Sequence, residues 1–267
     1  MESDVRPPAS TGAAQGVGLL IKAFQILDLF TEERRGWTQA ELVRETALAR
    51  STLSRLVRFL VGRGYLMEDG GRYSLGFAAV DLGRRAQTQF SLVDLFTDLL
   101  EELAQLTAET VILTGYDEAQ GRIVCLAQIP SRHGGLRVFE NVGATFPLHS
   151  GATAKAILAF LPEAQIEAVL AGDIRPVNPL APPRAADRLR AELETIRTNG
   201  YTISHDETYA GVTGIGAPLL TASGRPLGSI AVAVPTQRMD ERITATYVEH
   251  VQALSKAARL RLSGGQL

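Results

Sequence analysis

Six side chains between positions 50 and 58 carry the strongest chemical signal in this sequence: Arg50, Ser51, Thr52, Ser54, Arg55 and Arg58. Guanidinium forks match guanine edges and phosphates, and hydroxyls suit either, so this set fits a DNA major groove. At helical spacing Leu53, Leu56, Val57, Leu60 and Val61 share one face, while Ser51, Ser54, Arg55 and Arg58 lie opposite. Arg63 extends the positive run, and no acid interrupts it from Ala47 to Met67. Taken alone, the stretch fits equally an ordinary surface helix with a solvated basic face. Its surroundings decide between the two.

A second set lies in the C-terminal half. His149 and the pair Asp206–Glu207 have the chemistry of a general acid and base. Yet His149 sits beside Pro147 and Leu148, which reads as part of the fold, and Ser204, His205 and Thr208 give the acid pair a solvated or turn-forming reading. Gly211-Val-Thr-Gly214-Ile-Gly216 has the wrong order for a dinucleotide fingerprint, and no helix follows it. Glycines that let a sheet backbone approach a ligand explain it better. Cys125, inside the apolar run Ile123–Ile129, reads as a buried structural thiol, and a lone cysteine excludes a disulfide framework. The four histidines and the cysteine show no metal-ligand spacing, so no metal, cofactor or catalytic residue is assigned. A hydrolase or transferase in the C-terminal half, using His149 or Asp206 and Glu207, is the alternative.

The elements that would position these residues follow from periodicity. With 267 residues, two domains are expected, and a net charge of −2 with 21% charged residues excludes both a disordered chain and a polybasic binder. From Gly16 to Leu75 nine Lys/Arg face seven Asp/Glu, so a small positive excess is confined there. Residues 1–15 read as a disordered tail. An apolar stripe of Leu19, Leu20, Ala23, Ile26, Leu27 and Phe30 marks a first helix. Thr38-Gln-Ala-Glu41 is a capping box opening a second, over Gln39–Thr46, and Ser51 is expected to cap the basic third. Strands at Tyr65–Glu68 and Arg72–Leu75 flank a glycine turn. Three helices and a wing form a winged helix-turn-helix over 16–76, with a connector helix over 77–90.

Ser91–Thr107 predicts a helix with a broad apolar face from Leu92 to Leu106. Strand periodicity follows at Thr110–Tyr116, Arg122–Ile129 and Leu136–Glu140. Helices are predicted over Ser150–Leu161, Pro162–Ala171 and Asp187–Asn199, then strands at Tyr201–His205, Thr213–Leu219 and Pro226–Pro235. A helix over Asp240–Leu262 ends an α+β sensory domain spanning 91–263. No apolar segment reaches membrane-spanning length and no signal-type core opens the chain, so a soluble cytoplasmic protein is expected.

From Val17 to Leu260 the chain resembles the IclR family of bacterial transcriptional regulators. Three segments carry the resemblance: the Ala-Arg-Ser51-Thr52-Leu-Ser-Arg55-Leu helix, Phe146-Pro-Leu-His149-Ser-Gly-Ala-Thr-Ala-Lys155, and Asp206-Glu207-Thr-Tyr-Ala-Gly211-Val-Thr-Gly-Ile-Gly-Ala-Pro218 with Ser223–Pro235 after it. It implies a regulator, more often a repressor, with a GAF-like α/β effector domain, acting as a homodimer or homotetramer on double-stranded operator DNA. The implied DNA contacts are Thr38, Gln39, Arg50, Ser51, Thr52, Ser54, Arg55, Arg58 and Arg72. The implied effector residues are Leu136, Val138, His149, Gly151, Ala152, Thr153, Ser204, Gly214, Ala231 and Ala233. Small residues at an expected helix N-terminus, Gly151 and Ala152, suit a small-molecule effector bearing a carboxylate. Relatives that bind small keto acids carry hydroxyls on the last strand where this chain has Ala231 and Ala233, which favours an acid with an aromatic or apolar body.

Overall fold

The computed structural model describes residues 17–31, 33–87 and 91–264; the expected tail, 1–15, lies outside the described residues. The chain divides into two compact units, Met1–Gln89 and Phe90–Leu267.

In the first unit, helices α1 (Gly18–Leu27), α2 (Gln39–Thr46) and α3 (Arg50–Gly62) surround one core, and β1 (Trp37–Thr38), β2 (Leu66–Asp69) and β3 (Arg72–Leu75) form a small sheet in the order β1-β3-β2. β1 is a two-residue element with no periodicity of its own. It forms because Trp37 and Thr38 pair across β3 with Tyr73 and Arg72. The capping box is present: Thr38 Oγ1 accepts from the Glu41 amide, and Glu41 Oε2 accepts from the Thr38 amide at 2.7 Å. Ala47, at φ 52°, turns α2 into α3. Ser51 does not cap α3. Ala49 holds that position without a side-chain bond, leaving Ser51 exposed in the first turn. Gly70 and Gly71, at φ 54° and 78°, close the wing between β2 and β3 as a two-residue hairpin turn requires. Ile26, Trp37, Leu42, Leu53, Leu56, Val57, Leu60 and Tyr73 pack together in the core. The expected α1 stripe is buried only at its C-terminal end, and Leu19 and Leu20 are exposed. α4 (Phe77–Gln87) closes this unit.

The second unit is a six-stranded antiparallel sheet with helices on both faces. Its strands are β4 (Thr110–Asp117), β5 (Arg122–Ile129), β6 (Thr145–Pro147), β7 (Thr202–His205), β8 (Val212–Leu220) and β9 (Pro226–Pro235), in the order β6-β5-β4-β9-β8-β7. Against one face lie α5 (Ser91–Thr107) and α9 (Glu241–Gly264), burying Phe96, Leu103, Val251 and Leu254 on Val111, Leu113, Ile215 and Val232. Leu106, expected on this apolar face, is exposed. Against the other lies α6 (Ala152–Leu158), backed by α7 (Glu163–Leu170) and α8 (Ala186–Asn199) through Ile157, Leu158, Ile166, Leu189 and Leu193. A short 3-10 turn, Thr236–Arg238, precedes α9.

Two expectations for this unit are corrected. Residues 136–140 form no strand; the strand on that side is β6. Side chains hold the segment instead of a ladder: Thr110 Oγ1 donates to the Val138 carbonyl at 2.7 Å, Arg238 Nη1 to the Leu136 carbonyl at 2.8 Å, and the Glu140 amide to Gln128 Oε1 at 2.5 Å. And α6 starts at Ala152 rather than Ser150, because Gly151 stands outside it at φ 90°, and it ends at Leu158 rather than Leu161.

Candidate functional site

The first site is the outward face of α3. With Leu53, Leu56, Val57 and Leu60 buried, helical geometry turns Arg50, Ser51, Arg55 and Arg58 to solvent, while Thr52 and Ser54 are half-buried. Gln39, Ser54 and Arg58 line one shallow groove with Glu68 and Tyr73. Two of the residues implied as DNA contacts already have structural work. The Thr38 hydroxyl is engaged with Glu41 on both sides, donating to Oε2 at 2.8 Å. Arg72 donates through Nη2 to the Gly36 carbonyl at 2.8 Å, which ties the wing to the turn before β1. A stack that spacing could not show buttresses this turn: the Arg34 guanidinium lies 3.3 Å over the Trp37 ring and pairs with Glu41.

The second site is a cavity of about 60 Å³ on the α6 face of the sheet. Its floor follows from strand register. Ser204, Gly214 and Ala233 lie side by side across β7, β8 and β9, and the next row places Gly216, Ala231 and Ile112 across β8, β9 and β4. The glycines bring α6 down onto the sheet. A Cβ on Gly214 would stand 3.0 Å from the Ala152 Cβ, and one on Gly216 would stand 3.2 Å from the Ala152 carbonyl oxygen. The glycine-rich run therefore accommodates the α6 backbone as well as leaving Gly214 at the cavity wall.

The structure brings together Val138, Ala152, Thr153, Ser204, Gly214, Ala231 and Ala233 around this cavity. It leaves three implied residues outside the lining. The Leu136 side chain is 61% exposed. His149 Nε2 stands 2.8 Å from the Arg175 carbonyl oxygen, the fold-bound role its neighbours suggest. Gly151 turns its amide to Glu207 Oε2 at 2.9 Å, so one amide at the start of α6 already faces a protein carboxylate.

Glu207 is buried, and this corrects the solvated reading. Its other oxygen accepts from Lys155 Nζ at 2.5 Å and from Arg184 Nη2 at 2.7 Å. Lys155, fully buried, also pairs with Glu192, whose second oxygen lies 3.2 Å from Arg184 Nη1. Burial raises the cost of the Glu207 charge, but Lys155, Arg184 and the Gly151 amide outweigh it and hold the carboxyl below its ordinary value. Asp206, its neighbour, stands at φ 56° and accepts from the Gly211 amide at 2.5 Å, a turn-forming role. Neither acid has the free, poised geometry of a catalytic pair.

Glu140, Tyr209 and Phe146 also line the cavity, and spacing alone had not singled them out. The Tyr209 hydroxyl lies 3.2 Å from both Glu140 oxygens, and its ring meets Phe146 edge-on at 6.4 Å. Cys125 is buried at the same end; desolvation first, and the Glu140 charge second, push its thiol up to about 12, which leaves it a neutral wall group. Among the described residues no group of three or more His, Cys, Asp or Glu could hold a metal, and no helix is long and apolar enough to cross a membrane.

Known proteins match both halves of the chain. A family model described as IclR helix-turn-helix domain matches residues 19–70, and one described as bacterial transcriptional regulator IclR C-terminal matches residues 85–259. The HTH-type transcriptional regulator XynR of Escherichia coli is 27% identical over 88% of this chain and 95% of its own length. Rv1719, an HTH-type transcriptional regulator of Mycobacterium tuberculosis, is 32% identical over 84% of each. Among solved structures, an IclR homolog from Microbacterium hydrocarbonoxydans complexed with 4-hydroxybenzoate superposes with a TM-score of 0.74 at 22% identity, covering 92% of this chain and 100% of that one. The families and the curated relatives are regulators, not enzymes, which removes the hydrolase or transferase alternative.

Proposed function

The chain belongs to the IclR family of bacterial transcriptional regulators, and from that premise we propose that it is a cytoplasmic repressor released from its operator by a small organic acid. A regulator lying across a promoter blocks transcription by occupancy alone. The exposed Arg50, Ser51, Arg55 and Arg58 of α3 enter the major groove, with Gln39, Thr52 and Ser54 beside them. Thr38 and Arg72 support that face while reaching the DNA backbone. The protein acts as a homodimer or homotetramer, so that symmetry pairs two half-sites.

One observation carries the effector reading: register places Gly214, Ala231 and Ala233, three small residues, in a buried floor directly beneath Ala152 and Thr153. The acid's carboxylate rests at the Ala152–Thr153 turn with the Ser204 hydroxyl, and its apolar or aromatic body covers the alanines. The 4-hydroxybenzoate bound by the Microbacterium homolog supports an aromatic acid. Binding shifts the population between DNA-competent and DNA-incompetent arrangements, by as much as the acid prefers one over the other.

The test is fluorescence anisotropy of the full-length protein on DNA from its own upstream region, followed by titration with benzoates and short aliphatic acids. Specific binding that one of these acids weakens supports the proposal. Specific binding that an acid strengthens would make the protein an activator or co-repressed regulator. Absence of sequence preference would overturn the α3 assignment.

A further inference from the structure

The groove between α3 and the wing holds one acid, and strand register puts it there. On β2 the side chains of Leu66 and Glu68 share a face, and Glu68 stands directly opposite Tyr73 of β3. Leu66 packs into the core with Leu53, Leu56 and Leu60 of α3, so that face is the one turned to the recognition helix. Glu68, two residues further out along the wing, lines the groove together with Gln39, Ser54 and Arg58. Asp69 points to the other face and does not line it. Glu68 is exposed, and among the described residues its carboxylate has no hydrogen-bond or ion-pair partner; Arg58 shares the groove without pairing with it. Burial first, and the Glu68 charge second, hold the Tyr73 phenol above its ordinary value, which sets that charge beside the groove wall.

An exposed carboxylate is charged at neutral pH, and in that form it accepts hydrogen bonds and donates none. Phosphate oxygens are anionic acceptors, so Glu68 is repelled by the DNA backbone; Arg58, in the same groove, is the group that answers a phosphate. Major-groove base edges present two donors, the N4 amino group of cytosine and the N6 amino group of adenine. Those are the base groups with which a carboxylate can pair there. Resting on the reading that α3 enters the major groove, we propose that Glu68 is a specificity-determining residue of the DNA interface. It accepts a hydrogen bond from the exocyclic amino group of one cytosine or adenine. A base that presents an acceptor at that position leaves the charge unpaired against DNA. Specificity is a difference between two affinities, and this second term widens it without adding a contact to the correct site.

The experiment is fluorescence anisotropy of the full-length protein, Glu68→Ala and Asp69→Asn, each checked for folding by circular dichroism. The probes are the bound duplex from the protein's own upstream region, each of its single-base-pair substitutions, and a scrambled duplex. Wild type should lose on the order of tenfold in affinity at one position when cytosine there becomes thymine, or adenine becomes guanine. Either change puts an acceptor where the amino group stood. In Glu68→Ala that position should become indifferent, every other preference should stand, and the scrambled duplex should bind tighter. Asp69→Asn removes a charge of the same sign from the other face of the wing and should leave the preference intact. The role of Glu68 is overturned, while that of α3 stands, by any of three results: Glu68→Ala keeps every wild-type preference, gains the same factor on all duplexes, or is matched by Asp69→Asn. If wild type shows no sequence preference at all, the α3 reading falls, and this inference with it.

Discussion

Lys155 Nζ donates to Glu207 Oε1 at 2.5 Å, joining the buried face of α6 to the segment after β7 across 52 positions of sequence. The other Glu207 oxygen holds the Gly151 amide, so Glu207 ties down both the buried face of α6 and the turn that begins it. Removing either partner leaves a buried charge short of one counter-charge, Glu207 with Arg184 alone or Lys155 with Glu192 alone. Lys155→Met or Glu207→Leu should cost ~3–5 kcal/mol, read as a shift in the urea midpoint. The double substitution should recover part of that loss; additive losses would show that the two side chains are not coupled.

The same pair makes stability acid-sensitive. The Glu207 carboxyl titrates below its unfolded value of 4.5, so its contribution is complete above that value. It is lost as pH falls through the lower folded value. Urea unfolding at pH 7 and at steps below 4.5 should show wild type losing stability faster than Glu207→Gln. The gap between the two should narrow toward low pH. A gap that stays constant across this range would exclude Glu207 as the titrating group.

Arg55 and Arg58 lie on the same exposed face of α3 but are expected to fail differently. Arg55→Ala should weaken operator binding by ~1–3 kcal/mol and relax preference at one base position if its fork reads a guanine. Arg58→Ala should weaken binding evenly across sequences and reduce the salt slope by about 0.9, the signature of one lost phosphate contact. Anisotropy titrations against operator and single-mismatch duplexes at several salt concentrations separate the two. Equal losses on every duplex for Arg55→Ala would make it a phosphate contact as well.

Thr38 tests whether a residue at the DNA face acts through the fold. Its hydroxyl is committed to Glu41, so Thr38→Ala should cost ~1 kcal/mol of stability, while Thr38→Ser should restore it. Thermal unfolding measures this directly. If Thr38→Ala leaves stability unchanged yet weakens DNA binding, the hydroxyl serves DNA rather than the cap.

Local signals carry much of the fold into the sequence. Thr38 and Glu41 announce the start of α2, Gly70 and Gly71 the wing, Gly200 the end of α8, and the switch from helical to alternating spacing at Thr110 the sheet. Illegible parts depend on partners distant in sequence. Trp37 and Thr38 form a strand only because β3 pairs with them, and residues 136–140 alternate like a strand but are held by side chains of Thr110, Gln128 and Arg238. Glu207 looks solvated until Lys155 is found beside it. Glu140 enters the site because its segment folds over the floor, a placement that no spacing encodes.

Small residues in this sheet serve two different ends, and substitution should tell them apart. Ala231 lies between Ile112 and Gly216 in the cavity floor, whereas a Cβ on Gly228 of the same strand would stand 2.1 Å from the Thr114 carbonyl oxygen. Ala231→Leu fills space that is empty without effector, so the fold should tolerate it at ~1–3 kcal/mol of overpacking while effector binding is lost. The variant should bind operator normally and ignore the acid, giving constitutive repression in a reporter strain. Gly228→Ala has no space to enter and must displace a strand backbone; it should lower the yield of folded protein and weaken both activities together. Effector response retained in Ala231→Leu would place the acid elsewhere than on this floor.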